Sequence, residues 1–441
     1  MSKNAIIKGT FILTATGFLT RLIGFFFRSF LSHTFGEEQM GLYQLIFPIY
    51  ALCFSLSSAG IEIALARTVA QKITKGKKKE ADYMLYQALV LSVSLSLILT
   101  FLIRKYASYI SIYILGDLRC EKLLQTLVIA LPFAAVHSCV CGYYLGQKKM
   151  KIPSFSQLIE QVARVGGVYI IFCLYQNEYS QASILIAVIG IIIGELFSML
   201  YCVRYFMTHS HAPISPSAIY HKRHLSKEIL SLAIPLTSSR VLTNLLQSVE
   251  SISIPLSLQN YGHTSSEALS TYGVLTGMAL PCILFPTALT NSISTMLLPT
   301  VAEIQAEDNL IRLKQLIRRV IFFGFGLGSL CGIAFLFSGK LAGNVLFDST
   351  LAGNFMRTLA WICPFLYMNN TLISILNGLG KATNSFLINL CSLSIRICSV
   401  WFGISRFGMN GYLWGLLISQ LLVSLLCISQ LGLYIEKREL F

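Results

Sequence analysis

The chain has 441 residues, 55% of them hydrophobic and only 12% charged, with a formal net charge of +15. Soluble domains are nearer a quarter charged, so this balance excludes a soluble enzyme. The basic residues cluster in short stretches between apolar runs, which is the pattern of membrane orientation and not of nucleic-acid binding.

Apolar windows of about 20 residues predict an all-α polytopic membrane protein. Its twelve spans lie near 10–32, 41–66, 83–103, 122–146, 154–175, 182–203, 229–256, 271–299, 320–339, 355–378, 385–405 and 411–434. The first span follows Lys3 and Lys8, is too long for a cleaved signal and lacks a small-residue cleavage site, so it reads as retained. With the gaps alternating from a cytoplasmic start, 22 Lys and Arg fall inside and 7 outside. That split places both termini in the cytoplasm of a multi-pass cell-membrane protein.

The remaining five basic residues, Arg21, Arg28, Arg164, Arg240 and Arg396, lie within apolar spans. The first two stand in "GFLTRLIGFFFRSFLSHTF" (17–35), seven residues apart on one face and about 10 Å apart along the axis. An arginine near the bilayer centre costs roughly 2.5–3.5 kcal/mol on insertion scales, so such residues carry function or a partner. Arg164 follows Glu160 by one turn, the favourable order for a local structural ion pair. Arg396 has no such partner on its own helix, because Ser392 stands at that place. Glu62, Glu195 and Glu250 are the in-span acids available for ion coupling or charge balance.

An offset of 232 residues aligns the chain with itself: Gly41 with Gly273, Pro132-Phe133 with Pro364-Phe365, Gly146 with Gly378, Lys149 with Lys381, and Arg164 with Arg396. Two six-span lobes of like orientation follow (1–204 and 228–441), related by a pseudo-two-fold axis along the membrane normal and joined by a cytoplasmic linker at 205–227. The linker's histidines read as a solvated segment. Pro132, Pro281, Pro286 and Pro364 should bend the spans that hold them. "GFGLGSLCG" (324–332) lacks the Lys-Ser/Thr ending of a nucleotide loop and reads as close helix packing. The twelve cysteines behave as small hydrophobes. Cys139-Val140-Cys141 lacks ligand spacing, so neither metal nor cofactor is expected.

The stretches "GLYQLIFPIYALCFSLSSAGIEIALARTVAQK" (41–72), "TRLIGFFFR" (20–28), "ALPCILFPTALTNSISTMLLPTVAE" (279–303) and "LISILNGLGKATNSFLINL" (372–390) resemble the stage V sporulation protein B-like group. This group sits in the polysaccharide-transport branch of the multidrug/oligosaccharidyl-lipid/polysaccharide exporter superfamily, which also contains the lipid II flippases. The resemblance spans nearly the whole chain. It implies a non-enzymatic flippase that moves a polyprenyl-pyrophosphate-linked glycan across the bilayer by alternating access, for spore cortex or cell-wall synthesis, with cell-wall synthases as partners. Two departures stand out: many relatives carry fourteen spans, and Glu62 replaces a more usual uncharged residue.

A pyrophosphate head needs a cationic cavity, and arginine's planar fork holds phosphate oxygens bidentately at any relevant pH. Arg21, Arg28, Arg240 and Arg396 are therefore the candidate substrate ligands. In the lipid II flippases, arginines of the first span carry that role. Arg21 with Gly24 matches their motif, while Arg28 is about one residue off register. A cation-coupled drug exporter would favour carboxylates in its site. A glycan polymerase or glycosyltransferase would need a larger outside domain than the stretches near 104–121 and 340–354.

Overall fold

The computed structural model describes residues 3–175, 183–209 and 223–439. Helices make up its elements: α1 (Lys3–Phe54), α2 (Gly60–Thr74), α3 (Lys78–Lys105), α4 (Cys120–Leu127), α5 (Ala130–Gly146), α6 (Lys151–Tyr175) and α7 (Leu185–His209). They continue as α8 (Arg223–Tyr261), α9 (Ser265–Gly273), α10 (Leu280–Leu284), α11 (Thr287–Ala306), α12 (Leu310–Phe347), α13 (Thr350–Leu359), α14 (Cys363–Gly378), α15 (Ala382–Cys398) and α16 (Met409–Glu439). No strand occurs among the described residues.

Ten stretches are long and apolar enough to cross a membrane. The first, Thr14–Thr74, counts as two crossings, because Gly36 (φ 78, ψ 177) leaves the helical region inside α1 and separates the first two expected spans. Glycine carries no Cβ penalty in that conformation. The 39-residue α8 is long enough to cross as well. Its "PLTSSRVLTNLLQSVES" face is more polar than a lipid-facing helix. Twelve crossings result, as the apolar windows predict, although α12 runs 38 residues and outreaches its window at both ends.

The four prolines expected to bend their spans stand at or near helix starts. Pro281 and Pro364 occupy the first turns of α10 and α14, Pro286 is the N-cap of α11, and Pro132 is the third residue of α5. A proline lacks an N–H, and the first turn is where that donor has no helical partner anyway. The fourth, eighth and tenth crossings are therefore each built from separate helical segments.

By proximity in space the chain forms two units, Met1–Phe27 with Leu42–Ser248 and Arg28–Gly41 with Val249–Phe441. This division differs from the one at 1–204, 205–227 and 228–441. The stretch around Gly36 joins the second unit, and the continuous α8 belongs to both. Residues 210–222 of the expected linker lie outside the described residues.

In the first unit the core gathers Leu65, Val69, Met84, Leu85, Val140, Tyr143 and Cys202 from α2, α3, α5 and α7. Here α5 presses its backbone onto α2 through Gly142 and Gly146. A Cβ on either glycine would lie 2.6 Å from the Glu62 carbonyl oxygen or 2.5 Å from that of Ala66. Small residues four apart let membrane helices approach this closely.

The second unit packs Val301, Leu313, Leu372, Ile375 and Cys427 from α11, α12, α14 and α16. The glycine-rich stretch of α12 is a packing stripe, as expected. A Cβ on Gly328 would meet the Cys363 carbonyl oxygen at 2.5 Å, and Gly324 and Gly332 abut Met368 and Ala360. The opposite face of α12 exposes Phe322, Leu330 and Phe337, side chains that suit a hydrocarbon surround.

Candidate functional site

Arg21 sits on the first crossing of α1, exposed, with Gly24 one turn on. Gly24 faces α6 closely, since a Cβ there would lie 3.1 Å from Gln161 Nε2. Arg28 is half-buried and falls in the second unit. Arg240 is exposed on α8, three residues after Thr237, whose side chain packs on Gly60 of α2. Glu62, one turn into α2, lies within electrostatic range of both Arg240 and His137. Farther along α8, the Ser248 hydroxyl donates to the carbonyl of Pro48 at 3.1 Å, and Asn244 Nδ2 bonds Ser55 Oγ. The polar face of α8 is thus turned onto the proline region of α1.

The Glu160–Arg164 ion pair forms within α6, as the spacing predicts. Its surroundings were not predicted. His137 of α5 places Nδ1 3.2 Å from Glu195 Oε2 of α7, and one ring nitrogen of His137 and one carboxylate oxygen each of Glu160 and Glu195 lie within 4.8 Å of one another. His137 Nε2 bonds the Ser156 hydroxyl, which bonds Ser198 Oγ at 2.8 Å. Around that hydroxyl stand Cys141 Sγ at 3.7 Å and Cys202 Sγ at 3.4 Å. The sequence contained the signal for part of this: Glu195 had no carboxylate-neutralising residue a turn away on its own helix. In the sequence His137 is a lone histidine in an apolar run.

Two donor sets here have ligand-like geometry, His137 with Glu160 and Glu195, and His137 with Cys141 and Cys202. The second pairs Cys141 with a histidine one turn earlier and a cysteine from another helix, a grouping that the Cys139–Cys141 spacing does not reveal.

In the second unit Arg396 does have a partner, supplied by another helix. Its Nε donates to Glu250 Oε1 at 2.7 Å, and the Tyr412 hydroxyl donates to the same oxygen at 2.6 Å. Glu250 is almost wholly buried, with a side chain 3% exposed. The repeat-related arginines Arg164 and Arg396 therefore occupy the fifth crossing of each half, and both are neutralised. One uses a carboxylate from its own helix and the other a carboxylate 146 residues away. Arg396 has no partner on its own helix, as its spacing predicts, and Glu250 of another helix neutralises it instead. A second network, also unforeseen, joins Asn369 of α14 to Gln420 and Ser424 of α16 through bonds of 2.7–2.9 Å.

Family comparison agrees with this architecture. A family model described as "Polysaccharide biosynthesis protein" matches residues 6–305, and one described as "MatE" matches residues 239–402. Stage V sporulation protein B of Bacillus subtilis (strain 168) is 29% identical over 97% of this chain and 83% of its own length. Among solved structures, an inward-facing multidrug resistance MATE family transporter of the MOP superfamily superposes with TM-score 0.74 at 14% identity, covering 96% of this chain and 95% of that one. The lipid II flippase MurJ in an inward closed conformation superposes with TM-score 0.73 at 15% identity, covering 96% and 87%.

Proposed function

Because the chain belongs to the polysaccharide biosynthesis protein family, within the polysaccharide-transport branch of the exporter superfamily, we propose that this multi-pass transporter flips a lipid-linked glycan or peptidoglycan precursor across the cell membrane. The similarity to stage V sporulation protein B supports a role in spore cortex or cell-wall synthesis. The observation that carries the reading is Arg21, a permanent cation exposed on a predominantly apolar crossing. A guanidinium facing hydrocarbon there is costly, whereas one facing an anionic head recovers that cost through charge-assisted hydrogen bonds.

In this reading Arg21 and Arg240 of the first unit receive the pyrophosphate of a polyprenyl-linked glycan, and alternating access carries the head across while the tail stays in lipid. Both termini are cytoplasmic, and cell-wall synthases on the far side consume the product. The test is transbilayer movement of defined polyprenyl-pyrophosphate glycans in proteoliposomes, with a phospholipid of like charge as control. Equal rates for the two lipids, or no movement of either, would overturn the reading.

A further inference from the structure

Two of the chain's three tryptophans line one cleft of the second unit. The cleft has a volume of about 450 Å³ and lies where α12 ends and α13 and α16 begin. Helix α13 contributes Asn354, Arg357 and Thr358, and α16 contributes Asn410 and Trp414. Trp361 follows α13 in the short turn before α14, and Leu336 of α12 closes the inner end.

Polarity falls with depth in this cleft. At 1.5 Å per residue, Asn410 and Asn354 lie within about 6 Å of the starts of their helices, and Arg357 about 10 Å in. Trp361 and Leu336 lie about 16 Å in from the start of α13 and the end of α12. Past Leu336 the surface of α12 continues with Phe337, Ile333 and Leu330, all exposed. A polar mouth, an indole-lined middle and an alkyl floor follow the order of phosphate, interface and hydrocarbon in a lipid leaflet. Indoles favour that middle level, with one edge wet and the body apolar.

Packing aims the arginine. Helices α12 and α13 touch closely at this end: a Cβ at Gly343 would lie 2.3 Å from the Gly353 nitrogen, and one at Gly339 would lie 2.9 Å from Arg357 Cγ. The Arg357 stem thus lies across Gly339, which sets where its guanidinium starts. Among the described residues, the side chains of Asn354, Arg357, Trp361, Asn410 and Trp414 have no hydrogen-bond or ion-pair partner. No carboxylate lines the cleft. Arg396 of the same unit is matched by Glu250, and Arg357 has no such acid. A guanidinium flanked by neutral amides at headgroup level complements a phosphate diester.

We propose that this cleft binds one anionic phospholipid of the surrounding bilayer. Its phosphate sits on Arg357, with Asn354 and Asn410 as further donors. Its glycerol level lies against Trp361 and Trp414, and its chains run along α12. One guanidinium suits a single phosphate, and about 450 Å³ holds a small headgroup and not a multi-sugar glycan. This lipid is therefore distinct from the one proposed for transport, and the site does not depend on the flippase reading. Bound there, it braces α12, α13 and α16 together.

The test uses the full-length chain in proteoliposomes with Trp401→Phe, which leaves Trp361 and Trp414 as its indoles. Phosphatidylglycerol or phosphatidylcholine brominated high on the acyl chain quenches tryptophan on contact. Phosphatidylglycerol should reach half-maximal quenching at about one-fifth the mole fraction that phosphatidylcholine needs, the preference one basic residue gives toward anionic lipid. Arg357→Gln should erase that preference, and Arg357→Lys should keep part of it, because an ammonium supplies charge without the bidentate fork. Equal quenching by the two lipids, or a preference unchanged in Arg357→Gln, overturns the site. If Arg357→Gln does not fold, the comparison of the two lipids in the parent protein decides alone.

Unbrominated phosphatidylglycerol should relieve the quenching, and inorganic phosphate should not. Relief by inorganic phosphate would mark a soluble-anion site and overturn the lipid assignment. Stronger relief by a polyprenyl-pyrophosphate glycan than by phosphatidylglycerol would give the cleft to the transported lipid and overturn the proposal as well.

Discussion

Replacing Glu250 by Gln removes the negative charge that holds Arg396 and Tyr412 together. Breaking a fully buried ion pair costs about 3–5 kcal/mol, because the surviving charge is left uncompensated. Here the Arg396 side chain is 26% exposed, so the surviving charge is not fully enclosed and about 2–3 kcal/mol is expected. Tyr412→Phe removes one hydrogen bond to a charged group, worth about 1.5–3 kcal/mol. All three groups meet at one carboxylate oxygen, so the double variant should be non-additive by about 1–3 kcal/mol. Replacing Glu250 and Arg396 together by Leu and Met should recover most of the stability, as apolar substitutes for buried pairs often do. Equilibrium unfolding in mixed micelles measures each term. Strictly additive losses, or a Glu250→Leu/Arg396→Met pair no more stable than Glu250→Gln, would refute the reasoning. A transport defect in Arg396→Met with unchanged stability would return Arg396 to the substrate.

Further outcomes are expected. Arg21→Ala should insert and accumulate normally yet lose transport, with Arg21→Lys restoring part of it because a point charge lacks the bidentate fork; full transport by Arg21→Ala would remove this residue from the site. Gly41→Ala and Gly273→Ala should each destabilise the second unit by about 1–3 kcal/mol or more, since added Cβ atoms would lie 2.1 Å from the Leu269 carbonyl oxygen and 2.4 Å from the Gly41 nitrogen; unchanged melting would show that these helices can part freely. Cysteine labelling should find the 257–270 stretch outside and the 67–82 stretch inside, and the reverse would invert the orientation. If the moving head carries about two negative charges, an inside-negative potential of 100 mV favours outward transfer by roughly 4–5 kcal/mol; equal net transfer with and without a valinomycin-set potential at fixed pH would exclude that drive.

Apolar runs of membrane length were enough to read the twelve crossings, because hydrocarbon demands about 20 apolar residues whatever the neighbours are. The i,i+4 spacing of Glu160 and Arg164 announced their pair for the same local reason. Pro132, Pro281, Pro286 and Pro364 read as bends in their spans, and they stand instead at or near helix starts, since the first turn tolerates a missing N–H. The partners of Arg396 and His137 were not legible. Glu250 lies 146 residues from Arg396, and Glu195 lies 58 residues from His137. Which faces of two separate helices meet depends on their rotation and crossing, set by close contacts such as Gly142 on the Glu62 carbonyl. Sequence periodicity records which face of a helix is polar. Only packing decides which other helix that face meets, and so which buried charges are matched.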